Sequence, residues 1–348
     1  MDWNLSAMHP LNAASIVLPP GANTGVTVAM EPESKELIIL QAIQEATASI
    51  WTEMYTFTDS SVAAALASAA QHLDVRVLYE PRLSQTALQN LSPDKQQFPA
   101  WAHPNQAVLP NQQPVNTRHA KFMVVDGNSA GQAKAYVMTS NFTEAALGRG
   151  TPPAQINREY VACDTNPQDI ADLSAIFQAD AQGQPLPALN SPNLIVSSIN
   201  AHSALWKMLA SATHTLWVQT EELNDPPSGG ALAQSWSIEG ALTAAAKQGV
   251  QVQVMLPPQN TGSAFTPDSS AAIARLKGIP NLQIKTGGQY YMHAKLIIAD
   301  QQLAFVGSEN LVRASLNYNR EVGLLIASQS ELQKLCATFM SDWAWMPA

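Results

Sequence analysis

The chain has 348 residues, enough for two α/β domains each with its own core, and its 46% hydrophobic and 13% charged content is that of a folded globular protein. A formal net charge of −9 provides no overall positive field, so sequence-independent attraction to nucleic acid or anionic lipid is disfavoured unless a local basic pocket supplies it. Cys163 and Cys336 fit no metal spacing and no disulfide framework and are read as small buried residues; no apolar run reaches the length of a membrane span. The N-terminus lacks a basic segment followed by a signal core, and Ala, Gln, Ser and Thr richness with few Lys and Glu hints at a secreted or periplasmic protein whose signal is absent from this chain.

Residues 1–33 read as a proline-punctuated N-terminal arm with a short strand at 26–30. Apolar residues at Leu37, Ile38, Leu40, Ala42, Ile43 and Ala46 predict a helix over 36–49, followed by a strand at 50–57, a helix at 60–71 and a strand at 75–79. This alternation predicts an α/β fold with mainly parallel sheets covered by helices. Residues 81–117 form a long insertion containing Phe98, Trp101 and His103, of a length that often carries binding surface. A helix at 169–177 closes the first domain, which spans 34–180. Gly183, Pro185, Pro187 and Pro192 mark a linker at 181–193. The second domain, 194–348, repeats the plan: helix 204–212, strand 215–220, helix 238–248, strand 250–256, strand 322–327, helix 330–339 and a tail at 343–345. Its segment 257–288 holds a helical piece at 269–277, and the turn-forming residues of 224–230 predict a mobile loop. Trp51 and Trp217 fall at matching places and are expected to be core aromatics.

One stretch occurs twice. Arg118-His119-Ala120-Lys121-Phe122-Met123-Val124-Val125-Asp126 runs on to Met138-Thr139-Ser140-Asn141, and Met292-His293-Ala294-Lys295-Leu296-Ile297-Ile298-Ala299-Asp300 runs on to Gly307-Ser308-Glu309-Asn310. Asn157-Arg158-Glu159 follows the first copy and Asn319-Arg320-Glu321 the second. A repeat of half the chain implies a pseudo-symmetric pair of domains sharing one site. On a strand, residues i and i+2 face the same way, so each histidine and its lysine enter one pocket. Histidine serves as nucleophile or general acid and base, lysine as fixed charge, and Thr139, Asn141, Ser308 and Asn310 as neutral donors. Two such sets would clamp a phosphodiester with a histidine on each side of phosphorus. Arg118, Arg313 and Arg320 lie around the motifs and could form the local basic pocket. A metal site is poorly supported, since each histidine has a lysine two residues on and no second ligand at i+4.

The duplicated H-x-K-x4-D motif resembles the HKD signature of the phospholipase D superfamily, and Gly307-Ser308-Glu309-Asn310-Leu311 with Ser315-Leu316 and Asn319-Arg320-Glu321 is similar to bacterial phospholipase D-like and cardiolipin synthase-like proteins. The resemblance covers the chain from about Glu36 to its end. It implies two α/β domains with one active site at their interface and no cofactor or metal. It implies that one of His119 and His293 forms a phosphohistidine while the other protonates the leaving alcohol and then activates water or an acceptor alcohol. His119 is assigned as the nucleophile by that resemblance, although the pseudo-symmetry itself leaves either open. Lys121, Lys295, Asn141 and Asn310 match phosphate-binding positions, joined by Thr139 and Ser308. Glu159 and Glu321 match acidic residues that hold the histidines, with His293 and Glu321 expected as a same-domain pair; Asp126 and Asp300 are expected to orient the motifs. The Met138/Gly307 and Ser140/Glu309 differences imply that the two sides of the phosphate are not equivalent.

The expected activity is phospholipase D-type hydrolysis of phospholipid or transfer of its phosphatidyl group to an alcohol, with transient membrane-surface contact through Phe98, Trp101, Trp236 and Phe265. Nucleic acid is the alternative substrate, argued against by the acidic balance; a non-catalytic binding module is the lesser alternative, since both motifs are intact. Both motifs lie in one chain, so a monomer is expected.

Overall fold

The computed structural model describes residues 25–80, 82–84, 102–127, 129, 132–150, 156–227, 237–259 and 267–347. Phe98, Trp101, Trp236 and Phe265 lie outside them. Strand β1 (Thr27–Glu31) precedes helix α1 (Leu37–Glu45), which buries Ile39, Ala42 and Ile43 at the spacing of one helix face. Strand β2 (Ser49–Met54) is buried along its length. Helix α2 (Ser60–Ala69) starts where the Asp59 carboxylate accepts from the Val62 N–H, a cap that satisfies an otherwise orphaned donor. Strands β3 (Asp74–Tyr79), β4 (Ala102–Pro104), β5 (Phe122–Val125), β6 (Lys134–Met138) and β7 (Asn157–Asp164) complete the first half, followed by helix α3 (Pro167–Gln182). Proline at its first turn, the Asn166 cap and left-handed Gly183 at its end define α3 fully. It therefore runs beyond the expected 169–177 and carries Asp180.

The second half contains β8 (Leu194–Val196), α4 (Ala201–Ser211), β9 (Thr215–Gln219), β10 (Leu223–Asn224), α5 (Ile238–Lys247), β11 (Gln251–Leu256), α6 (Ser270–Leu276), β12 (Leu282–Thr286), β13 (Tyr291–Met292), β14 (Leu296–Ala299), β15 (Leu303–Gly307), β16 (Leu311–Val312), α7 (Arg313–Asn317), β17 (Val322–Ile326) and α8 (Gln329–Trp345). The expected tail at 343–345 is the last turn of α8, because Trp343 stacks on Phe339 one turn back, ring centroids 6.2 Å apart. The segment beginning at Asn224 is anchored at its start: buried Asp225 accepts from the Ile238 N–H at the head of α5. Both cysteines are free and half-buried, less enclosed than expected.

The strand orders are β1-β7-β6-β5-β2-β3-β4, with β13 of the second half added to β7, and β12-β11-β9-β14-β15-β17-β8. Within each main sheet, parallel pairing joins the strands of the helix-strand alternation, β2-β3-β4 and β9-β11-β12, whereas the motif strands form antiparallel pairs, β5-β6 and β14-β15. The protein is thus α/β with two similar halves. Outer cores form beneath α1 and α2 and beneath α4 and α5, while a central core joins the halves. In the central core Trp51 stacks on Phe177 at 5.4 Å and Trp217 on Phe339 at 5.0 Å, so the matched tryptophans hold matched helices, α3 and α8.

Candidate active site

Each His-x-Lys lies in extended chain just before β5 or β14, and its approach is fixed by the opposite half. Arg118 pairs with Arg320 in a parallel bridge, and the His119 N–H donates to the Arg320 carbonyl at 2.9 Å. Met292 in β13 pairs with Arg158 in β7 in the same sense. The residue after each bridge is a histidine on one segment and a glutamate on the other, side by side on the same face. His119 Nδ1 consequently lies 2.6 Å from Glu321 Oε2, and His293 Nδ1 lies 2.6 Å from Glu159 Oε1. The histidines and glutamates are exchanged between halves, which replaces the expected same-domain pairing of His293 with Glu321.

The surroundings of the two pairs repeat. Lys121 Nζ donates to the His119 carbonyl at 2.7 Å and Lys295 Nζ to the His293 carbonyl at 2.5 Å; both lysines are buried. Asn157 and Asn319 each donate a side-chain N–H to the glutamate two residues on, at 3.0 Å. Hydroxyl donors complete the glutamates from unequal places: Thr139 serves Glu159 at 2.5 Å, but Ser315 serves Glu321 at 2.7 Å. Both motif hydroxyls accept a backbone N–H, Thr139 from Tyr160 and Ser308 from Val322, but Ser308 donates to the Val322 carbonyl at 3.4 Å and not to a glutamate. Thr139 and Ser308 are fully buried and committed to protein groups, so neither hydroxyl is free to donate to a phosphate, against expectation. Asn141, Asn310, His119 and His293 retain 7–9% exposure, so part of each side chain reaches the surface. Thr56 N–H donates to Asn141 Oδ1 at 3.2 Å, which fixes the amide.

The proposed basic cluster is thinner than the sequence implied. Arg320 is wholly buried and bound to Asp180 at 2.7 Å, and Arg158 makes the matching contact with Asp342 at 2.8 Å. These cross-half pairs hold the seam. Asp126 and Asp300 sit at the far ends of the motif strands, each receiving three backbone N–H groups and a threonine hydroxyl from the entrance to β2 or β9. Burial opposes their charge, but these donors prevail and hold both carboxyls below the usual range.

Burial lowers His119 to about 4, with Lys121 adding to the effect and Glu321 opposing it. Burial opposes charge on Glu321 and Glu159 too, yet each histidine partner outweighs it and keeps the carboxyl low. A neutral His119 donating from Nδ1 to ionised Glu321 leaves the Nε2 lone pair available. Burial and Lys295 bring Lys121 down to about 7, against the pull of Glu321.

Two site residues escaped the sequence reading. Tyr55 sets its ring 4.5 Å from His119, edge to face, and 5.1 Å from Lys121 Nζ. Glu221 places Oε2 3.0 Å from Lys295 Nζ and 3.3 Å from His293 Nε2. Each lies four residues after a matched tryptophan, Trp51 or Trp217, a spacing that would have found them. Glu309, noted in the sequence only as a difference from Ser140, has a structural place: its buried carboxyl fills the space left by Gly307 and Gly323, which face each other in β15 and β17. At the corresponding places the first half has Met138, Val161 and Ser140, exchanging a large strand residue for a large motif residue. Burial, reinforced by Glu321, pushes the Glu309 carboxyl well up, which favours its neutral form.

A family model described as "Cardiolipin synthase, PLD-like domain" matches residues 39–181 and again residues 205–343. The chain belongs to this family, the cardiolipin synthase-like branch of the phospholipase D superfamily. It is 29% identical over 137 residues to a probable cardiolipin synthase, YwiE, of Bacillus subtilis, a match covering 39% of this chain and 25% of that protein. It is 25% identical over 342 residues to cardiolipin synthase A of Pseudomonas syringae, covering 88% of this chain and 66% of that one. The chain thus spans a quarter and about two thirds of the lengths of these relatives. Phosphatidylserine synthase of Haemophilus influenzae shares the fold, with a TM-score of 0.62 at 12% identity, covering 92% of this chain and 86% of that one.

Proposed function

We propose that this protein is a phospholipase D-type phosphodiesterase that transfers the phosphatidyl group of a phospholipid to an alcohol or to water through a phosphohistidine. The observation that carries the reading is the exchanged pair of His–Glu contacts with a buried lysine beside each histidine. His119 Nε2 attacks phosphorus, and the P–O bond to the leaving alcohol breaks. His293 gives that oxygen a proton; both its ring nitrogens face carboxylates, Glu159 and Glu221, as suits a ring donating from both. In the second step His293 takes a proton from the acceptor, whose oxygen attacks phosphorus while the P–N bond breaks and frees His119. Lys121, Lys295, Asn141 and Asn310 neutralise and position the phosphoryl oxygens.

The names of the relatives favour phospholipid over nucleic acid, and phosphatidylglycerol as the first donor to test. Purified protein is incubated with phosphatidylglycerol or phosphatidylcholine vesicles, with ethanol and EDTA, beside labelled single- and double-stranded DNA. The expected products are phosphatidylethanol and, from phosphatidylglycerol without ethanol, cardiolipin, both absent with His119→Ala and His293→Ala. Histidine-dependent cutting of DNA without lipid product overturns the lipid reading and keeps the chemistry.

A further inference from the structure

The pseudo-symmetry breaks most sharply at Tyr55 and Glu221, the equivalent residues just beyond β2 and β9. On the first side an uncharged ring lies beside His119 and Lys121. On the second, one carboxylate oxygen of Glu221 stands where three donors converge: Lys295 Nζ at 3.0 Å, His293 Nε2 at 3.3 Å and Asn310 Nδ2 at 3.5 Å. The other oxygen accepts from the Tyr291 hydroxyl at 3.4 Å. Lysine, histidine and asparagine are the groups assigned above to phosphate, so Oε2 occupies a place suited to a phosphoryl oxygen.

We infer that Glu221 is a specificity-determining residue that matches the charge of the site to a monoanionic phosphodiester and disfavours a dianionic phosphomonoester. The inference rests on the proposed function in taking the bound anion to be a phosphate ester. With His293 and Lys121 both protonated, Lys121, Lys295 and His293 face Glu159, Glu321 and Glu221 and the charges balance; as pH rises through about 7 Lys121 gives up its proton and the balance tips toward the carboxylates, which adds to the penalty on a dianion. A phosphodiester must move the Glu221 carboxylate aside, and that carboxylate remains in a confined, poorly hydrated place next to the ester. Repulsion from Glu221 scales with the charge of the ligand, so a dianion meets about twice the penalty that a monoanion does. Tyr55 imposes no such penalty on the first side. Discrimination of this kind would keep a product such as a phosphatidic acid from occupying the site in place of a diester, because at alkaline pH the monoester carries the extra charge.

The test reads binding, not turnover. Calorimetry at pH 8 with butyl phosphate and dibutyl phosphate compares the native protein with Glu221→Gln and with Glu221→Tyr, the latter copying the first half. Both variants are expected to raise affinity for butyl phosphate by about tenfold or more relative to dibutyl phosphate. An unchanged ratio in folded variants, or an equal gain for both ligands, overturns charge selection. Loss of binding to both ligands in both variants also overturns it, and assigns Glu221 to holding Lys295 and His293 in place. Failure of the lipid assays leaves this ratio readable, so the two readings fail separately.

Discussion

His119 and Glu321 are 202 positions apart in the chain and in contact through a 2.6 Å hydrogen bond in the fold. The glutamate keeps the imidazole in the tautomer whose Nε2 carries a lone pair. Glu321→Gln removes the charge with little change of shape and is expected to lower kcat for phosphatidyl transfer by ~10²-fold or more, a loss within the usual range for acid–base groups. Glu159→Gln disables His293 in the same way. A variant retaining native kcat in steady-state assays would show that its histidine needs no carboxylate.

The pH dependence follows from His119 and Lys121. His119 titrates near 4 instead of its ordinary value of 6.5, so its reactive neutral form persists as pH falls well below 6. Lys121 titrates near 7 instead of 10.5, so its charge is lost as pH rises through that region. The kcat/KM profile is expected to decline on the alkaline side around pH 7 and to hold on the acid side toward pH 4. Stability moves the other way below neutrality: between about 4 and 6.5 the unfolded chain binds more protons at His119, so this residue's contribution makes the fold more stable as pH rises. Profiles of native protein and Lys121→Met, whose side chain cannot titrate, test the alkaline limb. An unchanged limb in the residual activity of that variant rules Lys121 out as its source.

Gly323 is required by closeness of packing. A Cβ there would lie 2.2 Å from the Phe305 ring and 2.9 Å from the Glu309 carboxylate. Gly323→Ala is expected to cost about 1–3 kcal/mol in denaturant unfolding, as overpacking does. Adding Phe305→Leu should recover part of that loss. Equal stability of Gly323→Ala and native protein would mean that the strands spread without cost.

Asp126 and Asp300 gather donors at the far ends of their strands, so their effect should be on folding. Asp126→Ala or Asp300→Ala leaves three backbone N–H groups without their carboxylate and is expected to cost about 2–4 kcal/mol, with kcat per folded molecule preserved. Both carboxyls are held below 3.8, so their stabilisation is complete above that pH and fades as pH falls through the lower folded value. A large fall in kcat at unchanged melting temperature would move them into the catalytic machinery.

The motif residues were legible because their identity and order are local: His-x-Lys, the asparagines and the Asn-Arg-Glu segments are each written within a few positions, twice. The long elements were legible for the same reason, since α1, α2, α5 and the strands beside them show their buried faces in their own spacing. The partner of each histidine was not. Chain proximity favoured His293 with Glu321, but the parallel bridges at Arg118–Arg320 and Met292–Arg158 decide the matter, and they belong to the packing of one half on the other. The roles of Thr139 and Ser308 were hidden by the same limit, since which acceptor each hydroxyl reaches, Glu159 for Thr139 and the Val322 carbonyl for Ser308, is set by packing. Short strands such as β4 and β13 have too few residues to show a period.

Because both motif histidines, His119 and His293, borrow a carboxylate across the seam, docking of the halves and assembly of the site are one event. A gentle loosening at the Arg320–Asp180 and Arg158–Asp342 contacts would leave two well-formed sheets with His119 and His293 parted from Glu321 and Glu159. Inactivation should therefore precede melting on a denaturant or temperature ramp. The first motif must wait for Glu321, 202 positions further along the chain, before its histidine is set.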